Sequence, residues 1–122
     1  MSMRELSNEA KTVRFYGYFK DMKLIGVVGK KRIKDVTLIR HVYVLRESQR
    51  RGIGSKLLTF IHKDVETESL FVGTWKSATW AIEFYKKYGF ELMKNGEELL
   101  RKYWDIPERQ IELSCVLGKR IK

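Results

Sequence analysis

Residues Glu47–Lys56 read ESQRRGIGSK, with three basic residues and two glycines in ten positions. The stretch before it, VTLIRHVYVL (36–45), is rich in β-branched and apolar residues and reads as a strand. After it the period changes. Ile53, Leu57, Leu58, Ile61 and Val65 are spaced 4, 1, 3 and 4, which predicts an amphipathic helix over 53–66. The first N–H groups of a helix lack intrahelical partners, and the dipole makes that end positive. Gly52 and Gly54 leave the backbone accessible there, with Arg50, Arg51 and Lys56 around it. Together these make an anion site suited to a pyrophosphate. Two other phosphate loops do not fit. A GxxxxGK[ST] loop needs a second glycine that is missing here, and GxGxxG needs glycine where Leu57 stands. On the loop alone, a plain connecting turn remains the alternative.

Outward from this junction the chain alternates strands and helices. VRFYGYF (13–19) and LIGVVGKKRI (24–33) read as strands that complete an antiparallel meander with 36–45. SLFVGTW (69–75) reads as a buried strand and ATWAIEFYKKY (78–88) as a helix. Gly89 is placed to stop that helix, and Ser77 or Thr79 to cap it. FELMK (90–94) and RQIELSCVLG (109–118) read as strands, with an Asn-Gly turn signal at 95–96 between them. Residues 3–11 read as a short helix, with Leu6 and Ala10 four apart. The expected order is αβββαβαββ. The fold class is α/β (α+β): a mixed, mostly antiparallel central sheet with flanking helices and one parallel strand–helix–strand crossover, right-handed as such crossovers are.

The chain has 122 residues, 43% hydrophobic and 33% charged, a globular balance with room for one core. We expect a single domain over 1–122. No apolar run approaches the roughly 20 residues that span a bilayer, and MSMRELSNEAK at the start has no apolar h-region. Cys115 is the single cysteine, so no internal disulfide forms, and a reducing, cytoplasmic setting is the expectation. Cys115 with His41 and His62 makes no zinc ligand set, so no metal is expected. The formal net charge of +10 favours anionic partners and mildly disfavours polycationic ones.

Two motifs carry a family resemblance. Val42-Tyr43-Val44, then four residues, then Gln49-Arg50-Arg51-Gly52-Ile53-Gly54 resembles the acetyl-CoA signature [QR]-x-x-G-x-[GA] of the GNAT N-acetyltransferases. WAIEFYKKYGF (80–90) looks like that family's second helix motif, in which a Tyr precedes Gly-Phe by four residues. The motifs stand in the right order with a strand between them, and the resemblance covers roughly residues 4–118. Two positions depart from the pattern. Ala78 stands where many members carry an Asn seven residues before the Tyr. Only about a dozen residues precede the meander, so the family's first strand and first helix are expected to be absent.

The resemblance implies a function. The enzyme would be an acyltransferase moving an acetyl group from acetyl-CoA, its cosubstrate, to a primary amine by direct transfer in a ternary complex. The backbone of Val42, Tyr43 and Val44 would pair with the pantetheine arm, as in β-augmentation. The loop Gln49, Arg50, Arg51, Gly52, Ile53, Gly54 and Ser55 would cradle the pyrophosphate, mainly through backbone. Tyr85 would protonate the departing thiolate, and a Val42 or Val44 N–H would face the carbonyl oxygen. His41, Glu47 or a water chain would supply the base. On spacing alone, Tyr85 also reads as a core residue beside Phe84 and Tyr88.

The expected partner is a small-molecule or peptide amine acceptor, with no membrane and no nucleic acid. A homodimer is expected through an unpaired edge, either VRFYGYF or the C-terminal strand. A non-catalytic acyl-CoA-binding module and a small basic nucleic-acid-binding protein are the competing readings.

Overall fold

The meander is present and its turns are tight. In the computed structural model, which describes residues 2–8, 13–45, 49, 52–63 and 65–121, a first strand β1 (Ser2–Asn8) precedes β2 (Arg14–Lys20), β3 (Lys23–Ile33) and β4 (Val36–Val44). Asp21 and Met22 both take positive φ, 50° and 66°, which suits a two-residue hairpin turn to the twist of its strands.

The helix expected over residues 3–11 is a strand instead. One apolar pair four apart is a thin helical signal, and so short a helix has little stability of its own. The outer edge of β2 offers a ladder of backbone groups, and β1 pairs with it antiparallel from Ser2↔Phe19 to Asn8↔Arg14. VRFYGYF is therefore not an edge. The C-terminal strand is not one either, because it lies between two neighbours. Neither of those two strands therefore offers an unpaired edge on which a dimer could form.

After β4 come α1 (Ile53–Lys63), β5 (Ser69–Trp75), α2 (Thr79–Lys87), β6 (Glu91–Leu92), α3 (Gly96–Tyr103), α4 (Glu108–Leu113) and β7 (Ser114–Arg120). The seven strands form one sheet in the order β1-β2-β3-β4-β5-β7-β6. β4 and β5 are parallel across the α1 crossover, and the other described pairs are antiparallel.

Four further expectations change. Residues 109–118 split into α4 and the start of β7, and the strand at 90–94 shrinks to Glu91–Leu92. Asn95-Gly96 opens α3 rather than a hairpin. Glu97 and Glu98 in the first turn and Arg101 and Lys102 in the last complement its dipole, and Arg101 reaches Glu97 at 2.9 Å and also Glu108. The N-cap of α2 is Ala78, with no side-chain capping bond, so neither Ser77 nor Thr79 caps it.

The helices divide between the two faces of the sheet. Ile53, Leu57, Leu58 and Ile61 of α1 and Ala81 and Tyr85 of α2 pack with Ile39, Leu70, Val72 and Leu117. Leu100, Tyr103 and Ile111 of α3 and α4 pack with Val36, Leu38, Phe71 and Val116 on the other face. Alternate residues of β4, β5 and β7 thus serve opposite cores, as the strand period requires.

Gly118 is fixed by this packing. A Cβ there would lie 2.6 Å from the Phe71 ring and 3.0 Å from Met93 Sδ. Gly118→Ala should lower stability by about 1–3 kcal/mol through overpacking. Urea unfolding would show it, and an unchanged midpoint would count against this reading of the core.

The Tyr103 hydroxyl donates to Asp35 Oδ1 at 2.8 Å, tying α3 to the β3–β4 turn. This bond is the main reason the Asp35 carboxyl lies below its ordinary value of 3.8. A lowered carboxylate stabilises the fold above the unfolded value, and the contribution disappears as pH falls through the folded value. Tyr103→Phe should therefore lower Tm at neutral pH, and its difference from wild type should shrink below about pH 4. A Tm difference that stays constant from pH 7 to 3 would contradict the assignment.

Candidate functional site

The parallel pairing of β4 with β5 runs from Val36↔Ser69 to Ile39↔Val72 and stops. Beyond it, Arg40–Val44 stays on β3 while Gly73–Trp75 stays on β7. The two strands part and leave a gap. β3 steps from Gly29 to Val27 while β4 steps from Arg40 to Tyr43, so β4 carries one extra residue there. Such a bulge bends the strand that holds it. Gly29 makes it fit: a Cβ at that position would lie 3.0 Å from the Arg40 carbonyl oxygen. A glycine inside a strand pattern is a bulge signal, and Gly29 is the one that would have announced this feature. The bulge also ends simple alternation through His41 and Val42.

Val42 and Val44 are half-buried and Tyr43 is 59% exposed. Both valines border the core cluster that contains Tyr85 and Ile53. At the end of β4, Gln49 Nε2 donates to the Val44 carbonyl at 3.1 Å, fastening the loop to the strand. Arg50, Arg51 and Glu47 lie outside the described residues, as does the side chain of His41.

α1 begins at the end of that loop. Lys56 N–H donates to the Gly52 carbonyl at 3.1 Å, so the N–H groups of Ile53, Gly54 and Ser55 precede the helical ladder. The first turn carries no acidic residue. Gly52 has φ +77°, and a Cβ there would meet nothing within 4 Å among the described residues. The helix N-terminus, with no acidic side chain in its first turn, fits an anionic phosphate chain. Gly54 differs. Its missing side chain is filled by Phe84 of α2, whose Cζ would lie 3.0 Å from a Cβ. Ile53 is buried, so only its backbone is available. Ser55 gives its carbonyl to Thr59 Oγ1 at 2.9 Å. Lys56 is engaged elsewhere: its Nζ bonds the Tyr18 hydroxyl at 3.0 Å.

Tyr85 is 7% exposed and packs edge-on against Phe84 and Phe90. A helix-ending motif fixes it. Gly89, at φ +92°, lets its own N–H reach the Lys86 carbonyl and the Phe90 N–H reach the Tyr85 carbonyl, both at 3.1 Å. Gly89 thus stops α2 as expected and folds Phe90 onto Tyr85. The Tyr85 hydroxyl makes no hydrogen bond among the described residues. Among the described residues no enclosed side-chain oxygen is left unpaired, so the hydroxyl itself reaches the surface. Burial pushes its pKa up to about 12, so the phenol keeps its proton at neutral pH.

On the other face of the sheet, the end of β5 floors a hollow of about 210 Å³. Gly73, Thr74 and Trp75 contribute from β5, and Leu100 and Trp104 from α3 and the residue after it. Sequence reasoning missed Trp104 as a site residue. Its signal was Gly73, whose missing side chain lets the indole lie 3.2 Å from where a Cβ would stand. Cys115 is half-buried, and burial raises its thiol pKa, which disfavours the thiolate form. No three described His, Cys, Asp or Glu residues cluster as a metal site. No helix of the described residues is long and apolar enough to cross a membrane.

A family model for the acetyltransferase (GNAT) domain matches residues 11–92, from just ahead of β2 through β6. The chain belongs to the GNAT acetyltransferase family. It is 33% identical over 110 residues to "UPF0157 protein YqkA" of Bacillus subtilis (strain 168), across 86% of this chain and 32% of that protein. It is 30% identical over 103 residues to "Probable N-acetyltransferase san" of Drosophila melanogaster, across 77% of this chain and 55% of that protein. The chain thus spans about a third and about half of the length of these curated relatives. Among solved structures, it is similar to a GNAT family acetyltransferase from Elizabethkingia anophelis with acetyl-CoA bound. The TM-score is 0.71 and the identity 25%, over 89% of this chain and 76% of that one. The sheet order and its single parallel pair are those of the GNAT fold.

Proposed function

We propose that residues 1–122 form one acetyltransferase domain that moves an acetyl group from acetyl-CoA to a primary amine by direct transfer. One observation carries this reading. The strand that leaves its parallel partner at Ile39 is followed, past the Gln49 loop, by a helix whose first amides, at Ile53, Gly54 and Ser55, precede the helical ladder. A gap bordered by strand backbone, with an anion site at its end, suits a long ligand with an amide-bearing arm and a pyrophosphate.

Acetyl-CoA supplies the thioester whose carbonyl carbon the amine nitrogen attacks, breaking the C–S bond. The chain's own groups divide the remaining work. Backbone from Val42 to Val44 orients the arm along β4. Amides of Gly52 to Ser55 hold the pyrophosphate, with Gln49 bracing the loop and Arg50 and Arg51 adding charge. A Val42 or Val44 N–H stabilises negative charge on the carbonyl oxygen. Tyr85 offers its hydroxyl proton to the thiolate, and water takes the proton released by the amine.

Thermal melts with acetyl-CoA, CoA and a short oligonucleotide test the binding half. The reading predicts a saturable rise in Tm with both coenzyme forms and none with the oligonucleotide. A shift with the oligonucleotide alone would replace it with nucleic-acid binding.

A further inference from the structure

We propose that the hollow between Trp75 and Trp104 receives the side group of the acceptor, and that this group is a single compact aromatic ring. The inference rests on the acetyltransferase reading above and names its substrate class.

Position comes first. Gly73 to Trp75 is the part of β5 beyond Val72, where β4 has already left. Phe71 faces the core of α3 and α4, so Gly73 and Trp75, two and four residues on, share that face. α1, α2 and Tyr85 lie on the opposite face. The hollow and the Tyr85 side therefore flank one strand segment from opposite faces. An acceptor seated in the hollow reaches the gap without crossing the donor's path along β4 and α1.

Chemistry comes second. Two indoles, Leu100 and Ile106 form the walls. Gln110, Ser114 and Thr74 supply the polar groups, and no lining side chain is ionisable. A polyamine or a sugar with several amines brings multiple charges that find no carboxylate here, in a chain of net charge +10. The exposed lining is more polar than apolar, so an aromatic ring, which stacks on the indoles and tolerates polar groups at its edge, suits it better than an aliphatic chain.

Size comes third. A cavity of about 150 Å³ holds benzene, so about 210 Å³ holds one ring with a short substituent. The walls from α3 and α4 come from residues beyond the family match, which ends at Leu92.

The test is calorimetric titration of the full 122-residue chain, saturated with CoA, with phenethylamine, n-butylamine and spermidine. Phenethylamine should bind at least about tenfold tighter than either of the others, as burial of a ring allows. Trp75 is 50% exposed, so Trp75→Ala leaves the fold intact. That variant should lose the preference, and Trp75→Phe should keep most of it. Equal affinities, tighter spermidine binding or an unaffected Trp75→Ala would each overturn the inference. CoA binding is measured first on the same sample. Its absence would sink the acetyltransferase reading, while the three amines titrated without CoA would still decide the hollow.

Discussion

Tyr85→Phe should lower kcat about 10²-fold while leaving acetyl-CoA affinity and Tm nearly unchanged. The variant keeps the ring packed between Phe84 and Phe90 and removes only a hydroxyl without a hydrogen-bond partner among the described residues. The size of the loss follows from the pKa. Burial pushes Tyr85 up to about 12, whereas a free alkyl thiol titrates near 8.5. Complete proton transfer to a thiolate is then uphill by about 3–4 pK units, or roughly 5 kcal/mol. In the proposed mechanism the hydroxyl would therefore act through a strong hydrogen bond that matures into proton donation late in C–S cleavage. That places its worth at the low end of the 10²–10⁴ range for general acids.

The same shift fixes two pH behaviours. Tyr85 is not the group behind any fall in activity below about pH 12. Its neutral form also favours the folded state: the unfolded phenol ionises near 10 and the folded one near 12, so stability falls as pH rises through that window. Tyr85→Phe should lack that alkaline loss. Steady-state kinetics with alkaline melts would measure both, and an unchanged kcat would remove Tyr85 from the chemistry.

The second large effect belongs to Gly52. Gly52→Val should raise the acetyl-CoA Kd at least about tenfold. The residue sits at φ +77°, a conformation that costs an L-residue roughly 1–2 kcal/mol. No described residue lies within 4 Å of its Cβ position, so the new side chain strikes no described neighbour. It projects instead into the space before the free amides of α1. Loss of binding thus comes from the loop's conformation and from blockage of the anion site. Gly54→Val provides the contrast, because its side chain collides with Phe84 and wedges α1 from α2. It should cost stability first, by about 1–3 kcal/mol, and binding second. Titration calorimetry with parallel melts separates the two. Gly52→Val with undiminished affinity would move the anion site elsewhere.

This contrast shows what the sequence made legible. The glycines of ESQRRGIGSK announced a strand-to-helix junction with open backbone, and Gly52 has that role. Gly54 looked equivalent because its neighbour Phe84 is 30 residues away in sequence and becomes a contact only when α2 folds over α1. The meander, α1, β5, α2 and the Gly89 stop were readable because each has a clear period or a turn residue with one conformational use. The N-terminal strand was not, since its pairing partner rather than its own pattern decides it. Residues 109–118 misled for a related reason. Their apolar content suits strand or helix, and the break at Leu113–Ser114 is set by Ile111 packing beneath α3 and by β5 pairing with Ser114. The free run of β4 beside Val42–Val44 was legible only as a family likeness to a strand that pairs with a ligand, although Gly29 carried the local signal for the bulge there.

The central claim is amine-dependent acyl transfer, and one measurement addresses it directly. Acetyl-CoA is incubated with the chain and a panel of primary amines, and released thiol and acetylated amine are quantified together. The account predicts thiol release that requires both enzyme and amine, matches the acetylated amine one for one, and leaves no acetyl group on the protein. Coenzyme binding without amine-dependent release, or release accompanied by an acetylated protein side chain, would contradict it.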